Sequence, residues 1–134
     1  ALELIAPRRV EQVRKAIPAF YGQQRQRYGE AFEKMGLRLF TGDGGFYHWC
    51  QLPDGLNAAQ LNSRLFADGA AILRGSDCDM RRLDHQSPLR NFFRFSFGPL
   101  APESFEEDIE ILSRALGHCS LEVYLLESAT RSQR

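Results

Sequence analysis

The sequence predicts a two-layer α/β domain of the α+β kind, in which helices cover one face of a mixed or antiparallel sheet of about four strands. Strand-type runs at 37–41 and 46–52 are separated only by Gly42-Asp43-Gly44-Gly45, a composition typical of a hairpin turn. Two further short runs, at 70–73 and 91–97, are flanked by segments of helical periodicity. Adjacent strands without a helix between them exclude a purely parallel sheet.

The composition limits the classes of protein to consider. The 134 residues are enough for one domain with a hydrophobic core, and the 17 basic residues are balanced by 17 acidic ones. We therefore expect no nucleic-acid partner and no membrane partner. The three cysteines have no motif spacing, which indicates reduced thiols and a cytoplasmic protein without a signal peptide.

We predict a single domain over 1–134, divided into a helical lead-in (1–36), a unit of sheet and helices (37–117) and a C-terminal extension (118–134). The lead-in shows helical periodicity over 8–35, and Pro18 predicts a break or a kink that divides it into two pieces. Residues 70–73 are expected to form a short buried strand, followed by a long loop at 74–90. The extension contains an apolar segment at 121–127 that could be a short helix.

Local signals place the two later helices. Asn57 is a suitable N-cap, with Gln60 at the reciprocal third position of a capping box, and Gly69 ends this helix at Asp68. Pro102 is expected at the first position of the last helix, whose first turns are acidic and whose apolar stripe leads to Gly117.

The strand Asn91–Phe97 carries an arginine within a phenylalanine-rich run. Alternation places Phe93, Phe95 and Phe97 on one face, with Arg94 on the other. Arg94 could be paired with an acidic residue of the same chain. Alternatively, it could serve a carboxylate or phosphate ligand, which its planar guanidinium binds with two hydrogen bonds.

Other site chemistries find little support. His48 and Cys50 share a strand face, but their spacing is not that of a zinc site, and we expect no metal. The glycine cluster at 42–45 lacks the pattern of a phosphate-binding loop. No catalytic residue is predicted within this chain.

A series of segments resembles fold-type I pyridoxal-phosphate-dependent aminotransferases (class I/II). The matching segments, in family order, are Gly45-Phe46-Tyr47-His48-Trp49 with Leu52-Pro53, then Arg74-Gly75-Ser76, then Asn91–Phe97, then the helix from Pro102. The first resembles the family's G-G-x-[FY]-x-W-x-x-[LM]-P stretch, and the third resembles its n-x-[ILV]-R-[LIF]-[SN]-[FY] strand. In that family this region is the small C-terminal domain, which closes over the active site.

The resemblance implies a role for Arg94 in binding the carboxylate of an amino acid or 2-oxo acid substrate, with Gly75 and Ser76 lining the nearby loop. It also implies pyridoxal 5′-phosphate as the cofactor of the full-length enzyme, a large domain as partner, and a homodimer. Lys15 and Lys34 lack the family's cofactor-lysine motif. We therefore expect no cofactor-binding residue here, and a fragment that is inactive alone.

Two alternatives stay open. The chain could be the ligand-sensing, aminotransferase-like domain of a transcription regulator. It could also be a non-catalytic small-molecule-binding α/β domain in which Arg94 is paired internally.

Overall fold

The computed structural model describes residues 6–81 and 86–117. Its helices and strands, in chain order, are α1 (Pro7–Lys34), β1 (Arg38–Leu39), β2 (Tyr47–Gln51), α2 (Ala58–Ala67), β3 (Leu73–Arg74) and β4 (Phe92–Ser96). A final helix, α3, covers 105–117. Short 3-10 helices follow β3 at Gly75–Cys78 and precede α3 at Pro102–Ser104.

The four strands form one antiparallel sheet in the order β1-β2-β4-β3. The longest pairing joins β2 to β4, with Tyr47 opposite Ser96 and Gln51 opposite Phe92. With helices packed on this sheet, the predicted two-layer α/β architecture is confirmed.

The phenylalanine face of β4 forms the centre of the core, as the alternation predicts. Phe93 and Phe97 are completely buried, and Phe95 packs against the same cluster of buried residues. Each helix contributes buried side chains to this cluster, which are Tyr28, Phe32, Ala58, Leu61, Leu65, Leu112, Ala115 and Leu116. Arg94, between two of these phenylalanines, is exposed.

Tyr28 of α1 connects the helices to the sheet. Its ring lies 5.1 Å from that of Phe95 and 5.0 Å from that of Phe105, measured between centroids. Its hydroxyl donates a 2.6 Å hydrogen bond to the carboxylate of Asp108 on α3. Burial and the adjacent Asp108 carboxylate raise the pKa of the Tyr28 phenol above its usual range, so the phenol remains a donor at neutral pH.

Helix α1 is continuous over 28 residues, so the predicted break at Pro18 is wrong. Proline in a helix interior removes one backbone hydrogen bond. All residues from 7 to 20 are exposed, so water can solvate the carbonyl that loses its partner. Within the part of the chain that the structure describes, no helix has both the length and the apolar character needed to cross a bilayer.

The predicted cap of α2 is confirmed, but only one half of the capping box forms. The Asn57 side-chain oxygen accepts a 2.9 Å hydrogen bond from the backbone N–H of Gln60. The Gln60 side-chain oxygen is buried and makes no hydrogen bond with the described residues. The helix ends as expected, with Asp68 as C-cap and Gly69 at a φ of +72°.

Strand β3 differs from its prediction in position and in burial. It covers Leu73–Arg74 rather than 70–73, and Leu73 is 36% exposed. The backbone N–H of Ile72 donates to the Asn62 side chain on α2, and that of Ala70 donates to a carbonyl of the same helix. Because these groups bond to α2, the segment before Leu73 does not join the sheet.

The last helix has its predicted apolar stripe, but Pro102 begins a 3-10 turn and the α-helix itself starts at 105. Leu112 and Leu116 of the predicted stripe are buried, whereas Phe105 and Ile109 are partly buried. The predicted segment 121–127 and the extension 118–134 lie outside the described residues.

The burial pattern predicts a large difference between two phenylalanine substitutions. Phe93→Ala should lower the free energy of unfolding by about 3–5 kcal/mol, because it leaves a cavity at a completely buried position. Phe66→Ala on α2, where the side chain is 64% exposed, should change it by less than about 0.5 kcal/mol. Urea-induced unfolding of both variants measures this difference, and equal costs would contradict the placement of β4 in the core.

Candidate functional site

The face of the sheet opposite the phenylalanine core is aromatic and partly open. Among the side chains on this face are those of Phe40, directly after β1, and of Tyr47, Trp49, Phe92, Arg94 and Ser96 from β2 and β4. Phe40 is 48% exposed and Tyr47 is 43% exposed. We call this set the outer face.

Arg94 lies in the middle of the outer face. Trp49 of β2 is directly opposite it on one side, and Leu73 of β3 is opposite it on the other. Its guanidinium carbon lies 5.4 Å from the centroid of the Tyr47 ring, within the range of a cation–π contact. Within 6–81 and 86–117 no carboxylate forms an ion pair with Arg94.

A cavity of about 550 Å³ runs along the edge of β4 beside Arg94. It exists because β3 pairs with β4 only as far as Leu73, so the segment 69–72 diverges from the sheet. Its walls come from this segment and from α3, and Arg94 and Ser96 belong to its lining. The arginine therefore borders a concave region.

Gly75, predicted to line the substrate loop, has a packing role in the structure. It is buried, and a Cβ atom at this position would lie 2.3 Å from the backbone oxygen of Leu89 and 2.8 Å from that of Phe92. Only glycine allows this close approach between the loop and the start of β4. Substrate binding by Gly75 remains a prediction.

Ser76 is half-buried in the 3-10 helix that follows β3, and its carbonyl accepts the backbone N–H of Asp79. Because Leu73 is opposite Arg94, Ser76 lies only three residues along the chain from that position. Arg74, the last residue of β3, donates two hydrogen bonds to Asp77 of this helix, at 2.9 and 2.6 Å. Sequence reasoning did not anticipate this pair.

Asp79 connects the two described parts of this loop. Its carboxylate accepts a 2.6 Å hydrogen bond from the Ser87 hydroxyl and three from Arg81, at 3.0 to 3.2 Å. The Arg81 guanidinium, followed by the Ser87 hydroxyl, lowers the pKa of Asp79 to about 2. No local sequence signal predicts the contact between Asp79 and Ser87, because the two residues are separated by a polar loop.

His48 and Cys50, the residues considered for a metal site, are both buried on the core side of β2. The His48 Nε2–H donates to the Arg25 carbonyl at 2.9 Å, so its Nδ1 accepts from the Thr41 hydroxyl at 2.8 Å. Burial lowers the pKa of His48 and raises the pKa of the Cys50 thiol, so both groups are neutral. The described residues contain no group of three metal-ligating side chains.

The two lysines of the chain do not fit the attachment of an aldehyde cofactor near Arg94. Lys15 is on the exposed half of α1, where it pairs with Glu11 at 3.3 Å, and Lys34 is in the last turn of that helix. Neither is part of the outer face or of the cavity lining. Within the described residues, therefore, no lysine lies beside Arg94.

The Asp79 network predicts that the free energy of unfolding depends on pH in the acidic range. Replacing Asp79 should abolish this dependence. Because the folded pKa of Asp79 is lowered, its stabilising effect is fully present above about pH 4 and is lost as the pH falls towards 2. The difference in unfolding free energy between the parent chain and Asp79→Asn should therefore narrow across this range. Ser87→Ala, which removes one donor, should show the same trend with a smaller amplitude. A pH-independent difference would contradict the network.

No family model matches the chain. Among curated proteins, it is 32% identical over 101 residues to the HTH-type transcriptional regulator TauR of Rhodobacter capsulatus. The match covers 73% of this chain, which spans only 20% of that regulator.

Several solved structures have the same fold. The α-aminoadipate aminotransferase LysN of Thermus thermophilus superposes with a TM-score of 0.67 and 26% identity, over 85% of this chain and 28% of LysN. Kynurenine aminotransferase of Pyrococcus horikoshii superposes with a TM-score of 0.65 and 24% identity, over 83% of this chain and 26% of that enzyme. The aromatic aminotransferase of the same organism superposes with a TM-score of 0.68 and 22% identity, over 88% of this chain and 30% of that enzyme.

The chain thus spans less than a third of each of these enzymes, and its sheet, helices and segment order agree with the implied small domain. Its fold is that of a small-domain-like unit of the pyridoxal-phosphate-dependent aminotransferases.

Proposed function

We propose that this unit is the substrate-closing small domain of an aminotransferase, and that Arg94 binds the carboxylate of an amino acid or 2-oxo acid. The observation that carries the proposal is an exposed guanidinium, without an acidic partner in the described residues, at the centre of the outer face. In the resembling family the matching arginine has this role.

The surroundings of Arg94 suit a carboxylate ligand. A guanidinium binds a carboxylate through two parallel N–H···O bonds, which fixes the orientation of the ligand as well as its position. The aromatic side chains of the outer face would exclude water once a second domain closes over it. Exclusion of water strengthens charge-assisted hydrogen bonds.

The proposal includes a cofactor only for the full-length protein. The LysN structure contains a phosphopyridoxyl derivative of leucine, and the kynurenine aminotransferase structure contains PMP. Since neither lysine of this chain fits cofactor attachment, we assign pyridoxal 5′-phosphate to the large domain. Homodimerisation and a cytoplasmic location stay predictions that rest on the resemblance.

A second candidate is the ligand-sensing domain of a transcription regulator. It is favoured by the match to the regulator TauR, whose 32% identity exceeds that to LysN. In this case Arg94 would bind a carboxylate ligand without net turnover. Internal pairing of Arg94, the third possibility, has no support in the described residues.

The role of Arg94 predicts a selective loss of substrate affinity in the full-length protein. Arg94→Ala should cost about 2 kcal/mol or more in carboxylate binding, or roughly a 30-fold rise in KM or Kd for amino acids. The affinity of Arg94→Lys should lie between that of the parent protein and that of Arg94→Ala, because lysine keeps the charge but lacks the planar pair of donors. The absorbance of the bound cofactor should not change.

Two controls separate this effect from general damage. Arg38→Ala removes another guanidinium that lies over an aromatic ring, 5.3 Å from the centroid of Phe40 at the edge of the sheet, and should leave affinity unchanged. Amino acid amides lack the carboxylate, so Arg94→Ala should affect their binding little. An unchanged affinity for amino acids in Arg94→Ala would remove Arg94 from the site.

Enzyme and regulator are distinguished by two measurements on the same full-length protein. An aminotransferase should convert a 2-oxo acid to its amino acid in many turnovers, as followed by chromatography. A regulator should retard its own promoter DNA in a mobility-shift assay, with a shift that responds to the amino acid and is altered in Arg94→Ala.

A further inference from the structure

We infer that Tyr47 is a positioning residue for Arg94, which holds the guanidinium through the face of its ring and leaves the N–H edge free for the ligand. This inference rests on the proposed function of Arg94. Its observations are the contact between the two side chains and the arrangement of the other aromatic residues around them.

The register of β2 and β4 sets the possible neighbours of Arg94. Trp49 is directly opposite Arg94, and Tyr47 is opposite Ser96, so Tyr47 lies on the diagonal. Long side chains can meet across such a diagonal. The guanidinium carbon lies 5.4 Å from the centroid of the Tyr47 ring, and no corresponding contact joins it to Trp49.

The choice of the diagonal partner has a physical reason. Trp49 is stacked on Phe92, with centroids 5.8 Å apart and 18° between the ring planes, and Phe92 also contacts Phe40. One ring face of Trp49 is therefore already covered. The residue opposite Tyr47 is the small Ser96, and the Arg94 guanidinium lies over the Tyr47 ring.

This arrangement suits a carboxylate-binding arginine. A cation–π contact needs no N–H···acceptor hydrogen bond, whereas a bidentate ion pair uses two N–H groups in the guanidinium plane. Tyr47 can therefore restrict the rotamers of an exposed side chain without occupying the donors that bind the ligand. Such restriction reduces the conformational entropy that ligand binding would otherwise remove.

The test is a double-mutant cycle in the full-length, cofactor-loaded protein, with variants Tyr47→Leu, Tyr47→Phe, Arg94→Ala and the double variant Tyr47→Leu/Arg94→Ala. The probes are the twenty standard amino acids, and those that change the cofactor spectrum are titrated. Tyr47→Leu should weaken binding about two- to fivefold, the range expected for an exposed cation–π contact. Tyr47→Phe keeps the ring and should bind within about twofold of the parent. In the Arg94→Ala background, Tyr47→Leu should have no further effect.

The outcomes separate this inference from the proposed function. If no amino acid binds, or if Arg94→Ala binds as well as the parent, the proposed function is overturned, and this inference with it. If Arg94→Ala weakens binding but Tyr47→Leu does not, only the positioning role is lost. An equal effect of Tyr47→Leu with and without Arg94, or a Tyr47→Phe variant as weak as Tyr47→Leu, would also overturn it. An equal effect in both backgrounds would indicate that Tyr47 acts independently of Arg94. A weak Tyr47→Phe variant would assign the effect to the Tyr47 hydroxyl.

Discussion

The structure depends on the antiparallel pairing of β2 with β4. This pairing fixes five consecutive residue pairs, and with them the division of each strand into a core side and an outer side. A shift by one residue would bury Arg94 and expose Phe93 and Phe95. The three phenylalanines on the core side make that shift prohibitive, so the position of Arg94 is determined by hydrophobic burial on the opposite face of the sheet.

Tyr28 extends this constraint to the helices. Its ring packs on β4 and its hydroxyl binds Asp108, so α1, the sheet and α3 share one buried contact. Asp108 also accepts a hydrogen bond from Ser104 in the 3-10 turn that leads into α3. The helix that forms one wall of the cavity beside Arg94 is thereby held at a defined position on the sheet.

Sequence reasoning succeeded where the determining forces are local or periodic. The alternation in β4 and the Asn57 cap depend on residues a few positions apart, and both are confirmed. It failed where the structure depends on residues far apart in the sequence or on solvent exposure. Asn62 draws Ile72 away from the sheet and shortens β3, and solvent exposure lets α1 continue through Pro18. The contact of Arg94 with Tyr47 could not be predicted because it requires the register between two strands. The Asp79 network likewise requires contacts across the loop.

The availability of Arg94 also depends on how nearby acids are paired. The loop after β3 carries Asp77 and Asp79, but Asp77 is bound by Arg74, and Asp79 by Arg81 and Ser87. Along the cavity, Asp68 pairs with Arg114, and Asp108 accepts hydrogen bonds from Tyr28 and Ser104. These four carboxylates therefore have other donors, which reduces their competition for the guanidinium. An external carboxylate that reaches the outer face would meet a cation restrained by one aromatic ring, with its donor edge free. The ring contact and the lack of an acidic partner within the described residues support the proposal that Arg94 binds a ligand.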